Sequence, residues 1–151
     1  MENRNEQLLD AWLKLSTTIV NNRFVSELSF NESLVCNILY KNLKENNSKK
    51  ITATQLCNTT NILKSQMNRI LNQLEAQNII VRERSTEDKR LVYVSMNPEH
   101  IEKYEIQHAN ILKIVDLVIA RLGSENTDQM ISNLNIISEL AEQIVEANKE
   151  K

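Results

Sequence analysis

The chain has 151 residues, of which 41% are hydrophobic and 25% charged, and its formal net charge is −2. This length suits one ordinary domain with a substantial apolar core, and the composition excludes a disordered tail, a collagen and a disulfide scaffold. A single glycine, Gly123, and a single proline, Pro98, predict long helices and argue against a glycine-rich phosphate loop.

The first two predicted elements are helices. Apolar residues at helical spacing predict one helix over residues 7–26. A second helix is expected to begin with Asn31 as its N-cap and with Phe30 stapled onto Val35. It is expected to end in the polar run at residues 44–50.

A helix, a turn and a second helix follow. Thr52 and Gln55 have the spacing of a capping box and predict a short helix, and Asn61 suits the left-handed backbone of a tight turn. The next helix is predicted over residues 64–77, with Asn78 as the left-handed residue that ends it. Its predicted core positions are Met67, Ile70, Leu71 and Leu74.

Two short strands come next along the chain. Residues 79–84 and 91–95 are rich in β-branched side chains and predict a hairpin whose charged tip is residues 85–90. The sequence therefore predicts a mainly α fold with a small β-hairpin wing. In that fold a winged helix-turn-helix domain is embedded between N- and C-terminal helices.

The remaining sequence predicts two long helices. Asn97 and Pro98 form a matched N-cap and N1 pair that opens the first of them. Gly123 ends that helix, and Ser124 is expected to cap the last one.

Positive charge is concentrated in the middle of the chain. Residues 49–90 carry eight Lys/Arg against four Asp/Glu, a net of +4, whereas residues 1–48 have a net charge of −1 and residues 91–151 a net charge of −5. Attraction to phosphate is local, so a basic winged module between acidic segments is suited to reading DNA.

Two motifs carry a resemblance to a known family. Residues 64–75, Lys-Ser-Gln-Met-Asn-Arg-Ile-Leu-Asn-Gln-Leu-Glu, look like a recognition helix, and residues 79–84 with Asp88-Lys89-Arg90 look like a wing with a D-x-R motif. In these features the chain resembles the MarR family of bacterial transcription regulators over almost its whole length. It departs from the family pattern at Cys57, Thr60, Asn61 and Asn78.

The resemblance implies an organisation and partners. A single MarR-like domain over residues 1–151 would contain a DNA-binding winged helix part at residues 31–96 and a helical dimerisation part at residues 1–30 and 97–151. It would act as a homodimer on a palindromic operator in double-stranded DNA, more readily as a repressor than as an activator, and a small-molecule effector would alter its DNA affinity.

Five of the predicted DNA contacts lie on the recognition helix. Gln66, Asn68 and Arg69 are expected to read base edges, because such side chains match the donors and acceptors of the major groove. Lys64 and Ser65 are expected to contact phosphates.

The other predicted DNA contacts lie on the wing. Arg90 is expected to enter a narrow minor groove, and Asp88 to orient it or to hold the wing to the recognition helix. Weaker candidates, for contacts with the DNA backbone, are Arg82, Arg84 and Lys89 of the motif, and Lys49 and Lys50 are weaker still.

Other functional classes find little support in the residues. His100 and His108 are separated by eight residues and do not converge on one metal ion, and Cys36 and Cys57 are expected to be buried structural thiols. No cofactor, metal or enzyme activity is expected, because no nucleophile, base and orienting residue can be assembled.

Two alternatives remain open. One is a winged-helix module in which the same polar helix face docks a partner protein, and the other is a metal- or thiol-responsive member of the family. The polar, acidic N-terminus and the lack of a long uncharged apolar run predict a protein of the cytoplasm without a membrane span.

Overall fold

A computed structural model describes residues 3–21, 27–46 and 50–149 of the chain. Within these residues lie six α-helices and three short β-strands, so the predicted fold class is confirmed. The chain divides into two compact units, residues 1–110 and residues 111–151. The elements in chain order are α1 (Arg4–Asn21), α2 (Phe30–Asn46), β1 (Ile51–Thr52), α3 (Ala53–Thr60), α4 (Lys64–Ala76), β2 (Ile80–Arg84), β3 (Val92–Met96), α5 (Ile101–Leu122) and α6 (Ser124–Lys149).

The start of α2 differs from the prediction. Asn31 is not the N-cap, and Phe30 is already the first helical residue. Instead, the Ser29 N–H donates to Glu32 Oε2 (2.7 Å) and the Glu32 N–H donates to Ser29 Oγ (3.3 Å), which is a capping box. Both Ser29 and Asn31 can cap a helix, and the glutamate three residues after Ser29 decides between them. Residues 22–26 of the predicted first helix lie outside the described residues.

The helix-turn-helix forms as predicted. Thr52 caps α3 through the capping box with Gln55, and Asn61 has a φ of 56°. Asn78 has a φ of 58° and ends α4. Two backbone hydrogen bonds close that end in a Schellman motif, from Asn78 N–H to the Glu75 carbonyl (2.9 Å) and from Ile79 N–H to the Leu74 carbonyl (3.0 Å).

The predicted hairpin is the larger part of a three-stranded antiparallel sheet, in the order β1-β3-β2. In β2 and β3, Arg82 lies opposite Val94. The additional strand β1 pairs Ile51 with Val94 and Thr52 with Tyr93. Sequence patterning missed β1 because two residues are too few to show alternation, and Thr52 already serves as the cap of α3.

The start of α5 also differs from the prediction. The α-helix begins at Ile101 rather than at Asn97 and Pro98. The Asn97 side chain instead accepts a hydrogen bond from the Glu99 N–H (3.1 Å) and donates one to the Asn78 carbonyl (3.1 Å). Asn97 therefore caps the turn before α5 through its side-chain oxygen and ties the end of β3 to the end of α4 through its side-chain nitrogen.

The core of residues 1–110 lies between the helix-turn-helix, the sheet, α2 and the first turn of α5. All four core positions predicted on α4 are buried, and they pack with side chains from the other elements. The largest fully buried side chains are Tyr104, Leu28, Leu56, Met67, Leu71, Leu74, Ile80, Val35 and Cys36.

The helices outside this core keep apolar side chains on their surfaces. No residue of α1 is buried, and α6 buries only Thr127 among its described residues. Gly123 ends α5 with a φ of 80°, as predicted. None of the described helices is both long enough and apolar enough to span a membrane.

Candidate nucleic-acid interface

The outer face of α4 carries the five residues predicted to contact DNA. Lys64, Ser65, Asn68 and Arg69 are exposed and Gln66 is half-buried, while the opposite side of the helix packs into the core. Among the described residues, no hydrogen bond or ion pair engages these five side chains. The face therefore presents uncommitted donors and acceptors on a rigidly packed helix.

The wing tip presents Arg90 in a defined orientation. Its guanidinium donates to both carboxylate oxygens of Asp88, from Nε to Oδ1 (3.1 Å) and from Nη2 to Oδ2 (3.2 Å), and its backbone N–H donates to Oδ1 (3.0 Å). These hydrogen bonds from Arg90 hold the pKa of the Asp88 carboxyl below its usual value. The Arg90 side chain is 91% exposed. Asp88 thus orients Arg90 without covering it.

Asp88 does not hold the wing to α4. That task falls to Arg82, whose Nε donates to Glu75 Oε2 (3.0 Å) and whose Nη2 donates to Asn72 Oδ1 (2.7 Å) and contacts Glu75. The Arg82 hydrogen bond holds the pKa of Glu75 below its usual value. Sequence reasoning treated Arg82 as a weak DNA contact and missed this tie. The available signal was an acidic residue at the end of a helix followed by a basic residue in the next strand.

The other weak candidates differ in their surroundings. Arg84 Nη1 donates to the Lys89 carbonyl (3.2 Å), which braces the hairpin loop. Lys50 Nζ lies 4.9 Å from the centroid of the Tyr93 ring, a cation–π geometry. Lys89 is exposed at the tip. Lys49 lies outside the described residues.

The cysteines and histidines have structural surroundings. Cys36 is buried, and desolvation raises the pKa of its thiol to about 12, so the thiol stays protonated near neutral pH. The His108 ring packs against the rings of Tyr40 and Tyr104, with distances between ring centroids of 5.3 Å and 5.7 Å. Cys57 is half-buried. Within the described residues no three His, Cys, Asp or Glu side chains gather in a way that could hold a metal ion.

An open cavity of about 510 Å³ lies beside the first turns of α5 and the end of α4. Gln107 on its wall is 93% buried, since only 7% of it is exposed. Its Nε2 donates to Glu27 Oε2, and its Oε1 has no hydrogen-bond partner among the described residues. The cavity is lined by Glu27, Gln77, Ile79, Lys103, Ile106, Gln107 and Asn110.

One family model matches the chain. The model is described as "Transcriptional regulator SarA/Rot" and it matches residues 22–107, more than half of the chain. A search of curated protein sequences finds no match.

Solved structures of transcription regulators have a similar fold. The S. aureus MepR–DNA complex is 14% identical, covers 93% of this chain and 99% of its own, and has a TM-score of 0.67. The Streptomyces coelicolor PcaV regulator with its natural ligand is 14% identical and has a TM-score of 0.68. Its match covers 88% of this chain and 91% of the PcaV chain. Streptococcus pneumoniae FabT in complex with DNA is 19% identical and has a TM-score of 0.63. Its match covers 93% of this chain and 96% of the FabT chain. At such low identities the similarity concerns the fold alone.

Proposed function

Because the chain belongs to the SarA/Rot family of transcriptional regulators, we propose that it acts as a homodimer that reads a palindromic operator in double-stranded DNA. By family and by fold it is a DNA-binding winged-helix regulator of the MarR type. In the proposed complex α4 of each protomer lies in the major groove and each wing tip reaches a neighbouring minor groove. Half-sites would be about one helical turn, roughly 34 Å, apart.

The observation that carries this proposal is the uncommitted polar face of α4 together with the exposed Arg90. A recognition helix needs side chains that are free to form hydrogen bonds with base edges, and Gln66, Asn68 and Arg69 meet this need. A contact in the minor groove needs a guanidinium that extends from the protein surface. The guanidinium is that of Arg90, and its hydrogen bonds to the Asp88 carboxylate orient it. We assign phosphate contacts to Lys64, Ser65 and Lys89, whose side chains are exposed.

We assign residues 31–96 to DNA binding and residues 1–30 and 97–151 to dimerisation. Support comes from large apolar side chains that stay exposed on α1, α5 and α6 in the single chain. A soluble monomer rarely leaves so many of them in contact with water. The proposed action is binding rather than catalysis, and it places the protein in the cytoplasm with its operator.

Repression is the simpler consequence of such binding. Occupying a promoter requires only affinity for DNA, whereas activation also requires a contact with the polymerase. A small effector would modulate that affinity. The cavity beside Gln107 is large enough for one, and PcaV, which has a similar fold, was solved with its natural ligand.

The proposal is tested by measuring DNA binding at several salt concentrations. An operator is first obtained by selecting bound sequences from random DNA, and fluorescence anisotropy then gives its dissociation constant. We expect Arg69→Ala to weaken binding by about 1–3 kcal/mol and to relax specificity at one position of each half-site. We expect Arg90→Ala to weaken binding and to reduce the salt slope by about 1 for each phosphate charge that Arg90 neutralises.

Arg121→Ala is the matched control, because it removes an exposed arginine at the end of α5 that carries no proposed DNA contact. It should leave operator affinity unchanged. Unaltered affinity in both Arg69→Ala and Arg90→Ala, with the dimer still folded, would refute the assigned roles. If the wild-type protein binds no DNA at any of the salt concentrations, the protein-docking alternative replaces this proposal.

A further inference from the structure

One apolar side chain is out of place on the winged part of the molecule. Leu63 is 73% exposed, more than any other large apolar side chain among the described residues. Within residues 50–97 the next most exposed are Val81 at 38% and Leu91 at 36%. Leu63 directly precedes Lys64, the first residue of α4, so it lies at the edge of the face proposed to read DNA.

Local physical chemistry does not favour leucine at this position. Leu63 is the N-cap of α4, with φ −61° and ψ 144°, and no side chain caps the helix there. A Ser, Thr, Asp or Asn would stabilise the helix start, as Thr52 does for α3. The chain therefore forgoes a cap and leaves an apolar group in water at the same residue.

The backbone of Leu63 is nevertheless well fixed. Its carbonyl accepts the first hydrogen bond of α4, from the Met67 N–H at 2.8 Å. Ile62 and Met67, on either side along the chain, are both in the buried core. The exposed side chain thus projects from a rigid support, which is what a specific contact requires.

The proposed function places this side chain against DNA, and the inference rests on that function. In helix-turn-helix complexes the N-terminal residues of the recognition helix approach the base edges. In the major groove the one apolar group that base edges present is the C5-methyl of thymine. We propose that Leu63 is a specificity-determining residue that packs against a thymine methyl in each half-site.

The test removes the methyl group from the DNA. An operator is selected from random DNA with the wild-type protein, and each thymine of the half-site is then replaced in turn by deoxyuridine, which pairs identically but lacks the methyl. At one position the wild-type protein should lose about fourfold in affinity, the change expected for one methyl-sized apolar group. Leu63→Ala should bind the thymine and deoxyuridine versions equally well at that position.

Two further variants and a control complete the test. Leu63→Met keeps an apolar contact and should retain part of the preference for thymine. Leu43→Ala makes the same leucine-to-alanine change at an exposed position of α2 and should show the full wild-type pattern. Leu63→Ser should raise the thermal midpoint by adding a cap and should lose the discrimination between thymine and deoxyuridine.

The outcomes separate this inference from the function on which it rests. If Leu63→Ala shows the same deoxyuridine pattern as the wild-type protein, the inference is wrong even though the protein binds DNA. The inference is equally wrong if Leu63→Ala binds every version of the operator more weakly by the same factor, because this would indicate that Leu63 packs against the sugar instead. If the wild-type protein binds no DNA, the proposed function itself fails.

Discussion

Three described residues have a positive φ, namely Asn61 at 56°, Asn78 at 58° and Gly123 at 80°. Each lies where one helix ends and the chain must turn. Most side chains disfavour this region because the β-carbon approaches the following carbonyl oxygen, whereas glycine avoids the problem and asparagine tolerates it. The three positions were predictable because the chain has one glycine and these asparagines follow apolar helical patterns.

Asn78 offers a direct measurement of that backbone preference. Asn78→Ala should lower the free energy of unfolding by about 1 kcal/mol, because alanine is strained at this φ. Asn78→Gly should leave it unchanged or raise it. Urea denaturation measures both, and Asn58→Ala, at an exposed position inside α3, is the control that should not be destabilised. Equal destabilisation by Ala and Gly would show that the asparagine side chain matters more than the backbone.

The wing carboxylate gives a prediction in pH. Arg90 lowers the pKa of Asp88 from its usual value of 3.8, so the ion pair is complete at neutral pH and is lost as the pH falls through the lowered pKa. Arg90→Ala should raise that pKa towards 3.8, as followed by NMR titration of the carboxyl carbon. Lys89→Ala should not change it. An unaltered Asp88 pKa in Arg90→Ala would mean that the hydrogen bonds at the tip do not persist in solution.

Among the elements, the existence and order of the six helices and of the two hairpin strands were predictable from sequence, but two helix starts and the strand β1 were not. Periodicity and turn residues located the helix-turn-helix and the hairpin because each signal is local. Before α5 begins at Ile101, the chain makes a turn in which the His100 N–H donates to the Asn97 carbonyl, and the Asn97 side chain bonds to Asn78, which lies 19 residues away in sequence. The strand β1 forms by pairing with β3, and a stretch of two residues is too short to predict such a contact from sequence.

The tie between α4 and β2 yields an element-scale prediction. Arg82 and Glu75 are partly exposed, at 25% and 41%, so a double-mutant cycle with Arg82→Gln and Glu75→Gln should give a coupling of about 0.5–1 kcal/mol. Because the Glu75 pKa is lowered from its usual 4.5, the coupling should be present at neutral pH and vanish as the pH falls through that lowered value.

Hydrogen exchange of β2 and β3 should report the same tie. Amides of both strands should exchange faster in Arg82→Gln, because this variant removes the side-chain link between the wing and α4. Arg84→Gln is the matched control, since Arg84 bonds only within the hairpin in the described structure. Equal exchange in both variants, together with a coupling energy of zero, would show that backbone pairing alone positions the wing.

On the scale of the whole molecule, the sequence shows apolar residues at helical spacing on α1, α5 and α6, but it could not predict what covers them. Periodicity shows that a helix has an apolar side, and it cannot tell an intramolecular partner from a second copy. The structure leaves Leu112 on α5 46% exposed and Ile144 on α6 61% exposed. The DNA-contact roles likewise remain predictions, because a side chain's freedom to bind can be seen in the protein alone, whereas its contact with DNA cannot.

The proposed homodimer makes a prediction that links assembly to DNA binding. Ile144→Glu would place a charge in the apolar interface, where desolvation is unfavourable, and should shift sedimentation towards the monomer. Operator affinity should fall with it, because two linked modules bind far more tightly than one, and the salt slope should drop to about half because a single module neutralises half as many phosphates. Gln143→Glu adds the same charge at a neighbouring exposed position and should remain dimeric. A wild-type protein that sediments as a monomer, yet binds its operator with the full salt slope, would show that these apolar helices serve another partner.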